Sequence, residues 1–171
     1  VSALLPGCAV GAFMAGRLAD NIGRKKVMMI AAILFIISAF ASGAASSALI
    51  LAVARFFAGA AVGAASVLSP AYISEVTPAN IRGRLSSVQQ VMIIAGLTGA
   101  FLANYFLAQS AGSSLGEFWL GYPAWRWMFW VQAVPAVLFL VTLLVIPESP
   151  RFLVAKGRLA EAEQVMTRLF G

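Results

Sequence analysis

The chain has 171 residues, of which 61% are hydrophobic and 11% charged, and its mean hydropathy of +0.92 excludes an ordinary soluble domain. The formal net charge of +6 does not indicate nucleic-acid binding, because the basic residues lie in short connections between apolar segments, where they act as topology signals. One cysteine and no histidine exclude a disulfide framework and a histidine-based metal or catalytic site, so we expect no metal and no cofactor.

Long uncharged stretches dominate the sequence and predict membrane-spanning helices. About 20 residues at 1.5 Å each cross a hydrocarbon core of roughly 30 Å. The apolar runs are rich in Ala and Leu and lack the alternation that a β-barrel strand requires. The sequence therefore predicts an all-α integral membrane protein.

The first apolar segment, residues 1–15, gives only about 22 Å of helix, which is too short to span comfortably. We interpret it as the remainder of a helix that begins upstream. A signal peptide is the alternative, although the segment has no basic n-region and no initiating Met. The stretch GRLADNIGRKK, residues 16–26, follows as a basic connection.

Small residues divide the next uncharged run, because GAASS at 43–47 favours a turn. The predicted membrane helices of the region 1–146 lie at about 1–15, 27–42, 48–73, 85–109 and 127–146. A polar segment precedes the last one and is flanked by Trp119, Tyr122, Trp125 and Trp127, which resembles an aromatic belt at a membrane interface.

The region 147–171 begins with two prolines that interrupt the helix, in the sequence PESPR. Apolar residues then recur at helical spacing opposite charged ones, with Leu159, Ala162 and Val165 on one side and Glu161 and Glu163 on the other. We predict a short amphipathic helix on the cytoplasmic face.

The Lys and Arg residues predict the orientation, because ten of the twelve fall in the first and third connections or after the last span. The positive-inside rule makes this side cytoplasmic. The start of the chain then faces outward, so a cytoplasmic N-terminus requires one helix upstream. We expect helices two to six of a larger multi-pass protein, in a plasma membrane or a bacterial inner membrane.

Arg55 is a fixed cation roughly 10 Å along its predicted helix, where burial in lipid costs about 2.5 to 3.5 kcal/mol. It either snorkels to the outer surface or faces a water-filled interior and an acidic partner on another helix. Ser66 lies eleven residues further, about three turns, and so shares its face, which would line a cavity. Gly59 and Gly63 have the spacing of close helix packing, as do Gly7 and Gly11.

A polar patch lies on the third uncharged run, where Gln90, Ile93, Leu97 and Asn104 share one stripe. Amides in hydrocarbon need partners, and they serve either as glue between helices or as a sugar site. The second interpretation rests on the ability of an amide to donate and to accept hydrogen bonds with vicinal hydroxyls.

Several motifs resemble those of the major facilitator superfamily. Residues 16–25 (GRLADNIGRK) resemble its loop motif between helices two and three. Residues 55–83, with the pattern R-x3-G-x3-G, P-x-Y-x-x-E and R-G, and residues 147–151 (PESPR) resemble the sugar porter branch. Residues 125–128 (WRWM) and Pro135 are most similar to bacterial proton-linked monosaccharide carriers.

The resemblance implies the N-terminal helical bundle of that superfamily and roles for individual residues. Gln90 matches a sugar-binding glutamine of helix five, with Ile93 and Leu97 as neighbouring pocket positions. Arg55 matches the helix-four arginine associated with proton coupling through an aspartate on helix one. The residues that match the cytoplasmic gate network are Asp20, Arg24, Lys25, Glu75, Arg82 and Arg151.

Two positions depart from the family's pattern. Asn21 replaces an arginine that often follows the motif aspartate, which removes one charge from the network. Leu97 is apolar where some xylose carriers have a second glutamine, which weakens a xylose assignment.

The resemblance implies transport of a monosaccharide by alternating access, coupled to protons, with helix one and a C-terminal bundle as partners. A drug or organic-acid exchanger of the same superfamily would share the first motif but not the others. A transporter-like sugar receptor would keep the pocket and signal through a cytoplasmic extension. A membrane enzyme is the least favoured alternative, because no nucleophile with a base and no phosphate loop is visible.

Overall fold

The computed structural model describes residues 2–78 and 80–170, apart from the side chains of residues 169 and 170. Residues 1 and 171, the outer limits of the two predicted regions, lie outside the described residues. The described elements are α1 (Leu4–Ile22), α2 (Arg24–Ala44), α3 (Ala48–Val76), α4 (Arg82–Ser110), β1 (Glu117–Trp119), β2 (Tyr122–Pro123), α5 (Ala124–Val131), α6 (Ala133–Val145), α7 (Pro150–Ala155) and α8 (Leu159–Phe170).

Within residues 2–78 and 80–170, four helical segments are long and apolar enough to cross a membrane: α2, α3, α4, and α5 with α6 taken together as Ala124–Val145. The last segment is interrupted at Gln132, between α5 and α6. Pro135 explains the interruption, because it cannot donate an amide hydrogen bond to the carbonyl four residues earlier. The predicted all-α membrane architecture is confirmed, with the short antiparallel β1–β2 hairpin as an addition.

The first connection differs from its prediction, because residues 16–26 are almost entirely helical. α1 continues to Ile22, Gly23 alone leaves the helical conformation at φ +104°, and α2 begins at Arg24. The helix limits expected near residues 15 and 27 are therefore wrong. Charge marks where a helix leaves the hydrocarbon, whereas the backbone turns only where a glycine tolerates positive φ.

α1 and α3 cross at very close range through four glycines. A Cβ atom added to Gly11 would lie 2.0 Å from the carbonyl oxygen of Ala60, and one added to Gly63 would lie 2.1 Å from that of Cys8. Gly7 and Gly59 meet backbone of the opposite helix in the same way. The predicted packing role of these spacings is confirmed.

α2 completes the core by packing against α3, α5 and α6. Small residues line most of this core, and Met28 and Leu143 are its largest fully buried side chains. α4 behaves differently, since it has no buried residue and its main contacts are with α3 and α5.

The predicted helix after the last span is present as α8. Ser149 caps the preceding helix α7, with Pro150 at its first position. Phe152 and Leu153 of α7 pack against Ala162 and Val165 of α8. α7 therefore covers Ala162 and Val165 of the apolar side, whereas Leu159 of the same side is 64% exposed.

Candidate functional site

A charged cluster joins the ends of α1, α2, α3 and α7. Its centre is Arg24, which lies 2.9 Å from Asp20 Oδ1 and, through Nε, 3.4 Å from Glu75 Oε1. The Glu75 side chain is only 8% exposed. A carboxylate so deeply buried needs compensating partners, and Arg24 supplies the charge.

The PESPR segment provides the second partner of Glu75. The Ser149 hydroxyl donates to Glu75 Oε2 and also accepts from the backbone N–H of Phe152. The Tyr72 hydroxyl donates to the carbonyl oxygen of Pro147 at 2.8 Å. Two side chains near the end of α3 thus hold the connection between α6 and α7.

At the same end of the bundle, Glu148 caps the start of α2 and Lys25 caps the end of α6. The Lys25 backbone N–H donates to Glu148 Oε1 at 3.0 Å, and its Nζ donates to the carbonyls of Leu144 (3.2 Å) and Ile146 (2.7 Å). Each charge therefore satisfies unpaired backbone groups at the helix end of opposite polarity. Gly23 is needed here as well, because a Cβ atom would lie too close to the Glu148 carboxylate.

The structure brings together four of the six residues predicted for the gate network: Asp20, Arg24, Lys25 and Glu75. The other two are apart from them among the described residues, since Arg82 donates to the carbonyl of Thr77 at 3.3 Å and Arg151 is exposed. Sequence reasoning missed the roles of three residues, namely Tyr72, Glu148 and Ser149. All three lie within the motifs described above. Their position close to a proline that ends or interrupts a helix could have indicated that their polar groups hold the chain at that point.

Arg55 lies at the opposite end of the bundle and is half-buried. Its Nε and Nη2 atoms each lie 3.2 Å from Ser42 Oγ, and its guanidinium carbon lies 4.2 Å from the ring centre of Phe129. It lines a cavity of about 310 Å³ with residues of α1, α3 and α5. Within the described residues no carboxylate lies within 4 Å of the guanidinium, so its contacts there are a hydroxyl and an aromatic face.

The predicted sugar-binding residues lie on open helix surfaces. Gln90 is exposed on α4, and Ile93 and Leu97 of the same stripe are more than half exposed. Ser66 is exposed on α3, and its hydroxyl donates to the carbonyl of Gly63 in its own helix. The structure therefore presents these side chains outward.

An apolar cavity of about 350 Å³ lies elsewhere, between α2, α3, α4 and α6. Its walls are mostly alanine and phenylalanine, and Gln132 is the polar side chain among them. No residue pattern predicted this space. Its lining offers a polyhydroxylated ligand few hydrogen-bonding groups.

Comparison with known proteins shows which family and which relatives the chain is similar to. The profile of the family described as "Sugar (and other) transporter" matches residues 1–171. The chain is 48% identical over 172 residues to the glucose transport protein of Synechocystis sp., covering 100% of this chain and 37% of that protein. It is 42% identical over 169 residues to the galactose-proton symporter of Escherichia coli K12, covering 99% and 34%.

A solved structure gives the same result for the fold. The chain matches a proton:xylose symporter of the major facilitator superfamily, bound to 6-bromo-6-deoxy-D-glucose, with a TM-score of 0.89 and 35% identity. The match covers 99% of this chain and 39% of the symporter, so the chain spans little more than a third of its relatives. From the profile match over its whole length and this shared helical bundle, the chain belongs to the sugar (and other) transporter family, multi-pass membrane proteins of the major facilitator superfamily.

Proposed function

We propose that the protein containing this chain transports a monosaccharide across the cell membrane by alternating access, together with protons. The observation that carries the proposal is the match of the whole chain to relatives described as a glucose transport protein and a galactose-proton symporter. In such a mechanism two helical bundles rock around a site near the midplane. This chain supplies five consecutive helices of the first bundle.

Sugar binding is assigned to the face of α4 that carries Gln90, Ile93 and Leu97, together with Ser66 of α3. The exposure of this face supports the assignment, because an amide in the membrane must find polar partners outside its own helix. A glutamine amide donates and accepts hydrogen bonds at once, as two adjacent sugar hydroxyls require. The apolar neighbours would pack against the sugar ring and exclude water.

Proton coupling is assigned to Arg55. Its described contacts are a hydroxyl and an aromatic face, so its charge is not neutralised by a carboxylate in the described part of the chain. A carboxylate supplied by helix one would pair with it when ionised and release it when protonated. Such a pair would convert proton binding into a change of contacts between helices.

The charged cluster of Asp20, Arg24, Lys25 and Glu75 is assigned to the cytoplasmic gate. Within this bundle the cluster fixes the helix ends, whereas Arg82 and Arg151 are exposed at the same end. These two cations are free to meet acidic groups of the second bundle in the outward-facing state. The excess of Lys and Arg supports a cytoplasmic location for this end.

The direct test is uptake of a panel of labelled hexoses and pentoses by the full-length protein in proteoliposomes, with and without an inward proton gradient. We expect accumulation of at least one monosaccharide above its external concentration only when the gradient is present. Uptake of no sugar would contradict the substrate class. Equilibration that ignores the gradient would contradict proton symport while retaining sugar transport.

A further inference from the structure

The hairpin that joins α4 to α5 carries large apolar side chains into solvent. Leu115 is 79% exposed, Trp119 63% and Leu120 70%, and all three lie within residues 111–123. Exposed apolar residues scattered singly need no explanation, but a contiguous group marks an interaction surface. The three residues fall within a stretch of six, from Leu115 to Leu120, and so concentrate exposed apolar surface in this connection.

The backbone at the tip would favour a different residue from the one present. Leu120 has φ +56° and Gly121 has φ +73°, two consecutive positive values of the kind found in type I′ hairpin turns. That turn prefers Asn-Gly or Asp-Gly, and a non-glycine residue with a bulky side chain is disfavoured there. Because leucine contributes nothing to the turn itself, its apolar side chain accounts better for its presence.

The hairpin is fixed to the start of α5. The Trp119 ring stacks on the Trp127 ring with centroids 5.5 Å apart, and the Trp127 indole N–H donates to the carbonyl of Trp119 at 3.3 Å. Backbone hydrogen bonds from Ala124 to Gly116 and from Trp125 to Ser114 close the loop onto the helix. The tip is thus held in a defined position at the end of a membrane-spanning segment.

The position of the tip determines which part of the bilayer it contacts. The hairpin directly connects two segments that span the membrane, so it lies at a bilayer boundary. Tryptophan and tyrosine concentrate at that level, with their rings among the headgroups and upper acyl chains. Glu117 is the single charged residue within 111–123, and the nearby Arg126 is turned inward onto the carbonyl of Ala45 and the Trp125 ring. Attraction to anionic lipids would not hold this tip, but burial of apolar surface would.

We infer that Leu115, Trp119 and Leu120 insert into the lipid interface of the leaflet opposite the charged cluster and anchor the start of α5 there. Exposed apolar side chains also occur at the end of α4 that leads into the hairpin, at Tyr105 (60%) and Phe106 (59%). Lipid contact on the spans is therefore extended by the hairpin. The inference does not depend on the identity of the transported solute.

The test is spin-label accessibility in the full-length protein, in a cysteine-free background, reconstituted into phosphatidylcholine nanodiscs. Nitroxides at Leu120→Cys and, separately, at Leu115→Cys report the tip, and one at Lys156→Cys on the other end reports water. We expect collisions with oxygen to exceed collisions with a water-soluble nickel chelate several-fold at both tip positions, and the reverse at position 156. A tip as accessible to nickel as position 156, or shielded from both reagents by protein, would overturn the inference.

Leu120→Asn provides a second test, because asparagine suits the turn but not the lipid. We expect the thermal unfolding temperature to stay the same or rise, while the label at position 115 loses at least half of its preference for oxygen. An unchanged preference in this folded variant would show that the leucine does not anchor the tip. If the variant fails to fold, the turn argument for leucine is itself contradicted.

Discussion

The charged cluster and the exposed face of α4 differ in how far their polar groups are paired within the chain. At the cluster, Arg24 pairs with Asp20 and Glu75, and Ser149 donates to Glu75, so that four helix ends are tied together. On α4, Gln90 faces outward and no residue of the helix is buried. A network of paired polar groups stabilises a helical bundle, whereas an unpaired polar face on a membrane helix requires a partner. We therefore expect variants of the cluster to lose stability and variants of the α4 face to lose sugar affinity.

The largest expected effect is on folding, and it distinguishes the tightly packed helices α1 and α3 from α4. Gly63→Val would place side-chain atoms against the backbone of α1, where even a Cβ atom would lie 2.1 Å from the carbonyl oxygen of Cys8. Overpacking usually costs about 1 to 3 kcal/mol, and a clash with backbone on both helices exceeds that. We expect no folded full-length protein by size-exclusion chromatography in detergent.

The matched control is Gly96→Val on α4, where a Cβ atom meets nothing within 4 Å. This variant should elute as the parent protein does. Equal damage from both substitutions would mean that α4 is as tightly packed in the full-length protein as α3.

The glycine spacings illustrate what the sequence could predict. Close helix packing at these glycines followed from small residues four apart, because that rule is local and geometric, but the pairing of α1 with α3 came only from the structure. The pairing of Lys25 with Glu148 did not follow, since these residues are 123 positions apart and meet only through the tertiary fold. The continuous helix through residues 16–22 was missed because charge density was read as a loop. The hairpin at 117–123 was missed because its strands are too short for an alternating pattern to be visible.

The second-largest expected effect is on the coupling of sugar transport to protons, at the cavity that Arg55 lines. Arg55→Leu should abolish accumulation of sugar driven by a proton gradient, because the cation that would pair with a titrating carboxylate is gone. Exchange of sugar between equal pools should persist, since it requires rocking of the bundles and not the proton. Counterflow and gradient-driven uptake in proteoliposomes measure the two activities separately.

Ser42→Ala is the control for this prediction. It removes the hydroxyl that Arg55 contacts but keeps the charge, so accumulation should continue. Accumulation by Arg55→Leu would instead favour a snorkelling arginine at the interface.

A smaller effect on stability is expected at the charged cluster. Glu75→Ala leaves the Ser149 hydroxyl without its acceptor and leaves Arg24 with Asp20 and the carbonyl of Ala19 as its remaining partners among the described residues. Loss of one partner of a buried hydrogen bond costs about 1 to 3 kcal/mol, so the thermal unfolding temperature of the full-length protein should fall. Glu163→Ala on the exposed side of α8 should change stability by no more than about 0.5 kcal/mol. Equal unfolding temperatures for the two variants would contradict a structural role for the cluster.

The last expected effect, and the most direct test of the sugar site, changes affinity at α4 and leaves folding intact. Calorimetric titration of the preferred sugar into purified full-length protein should show a weaker Kd for Gln90→Ala by roughly 5- to 150-fold, because two lost hydrogen bonds cost about 0.5 to 1.5 kcal/mol each. Gln89→Ala, one position earlier and on a different face of the helix, should bind as the parent does. Both variants should unfold at the parent temperature. An unchanged Kd in a folded Gln90→Ala protein would contradict the assignment of sugar binding to this face.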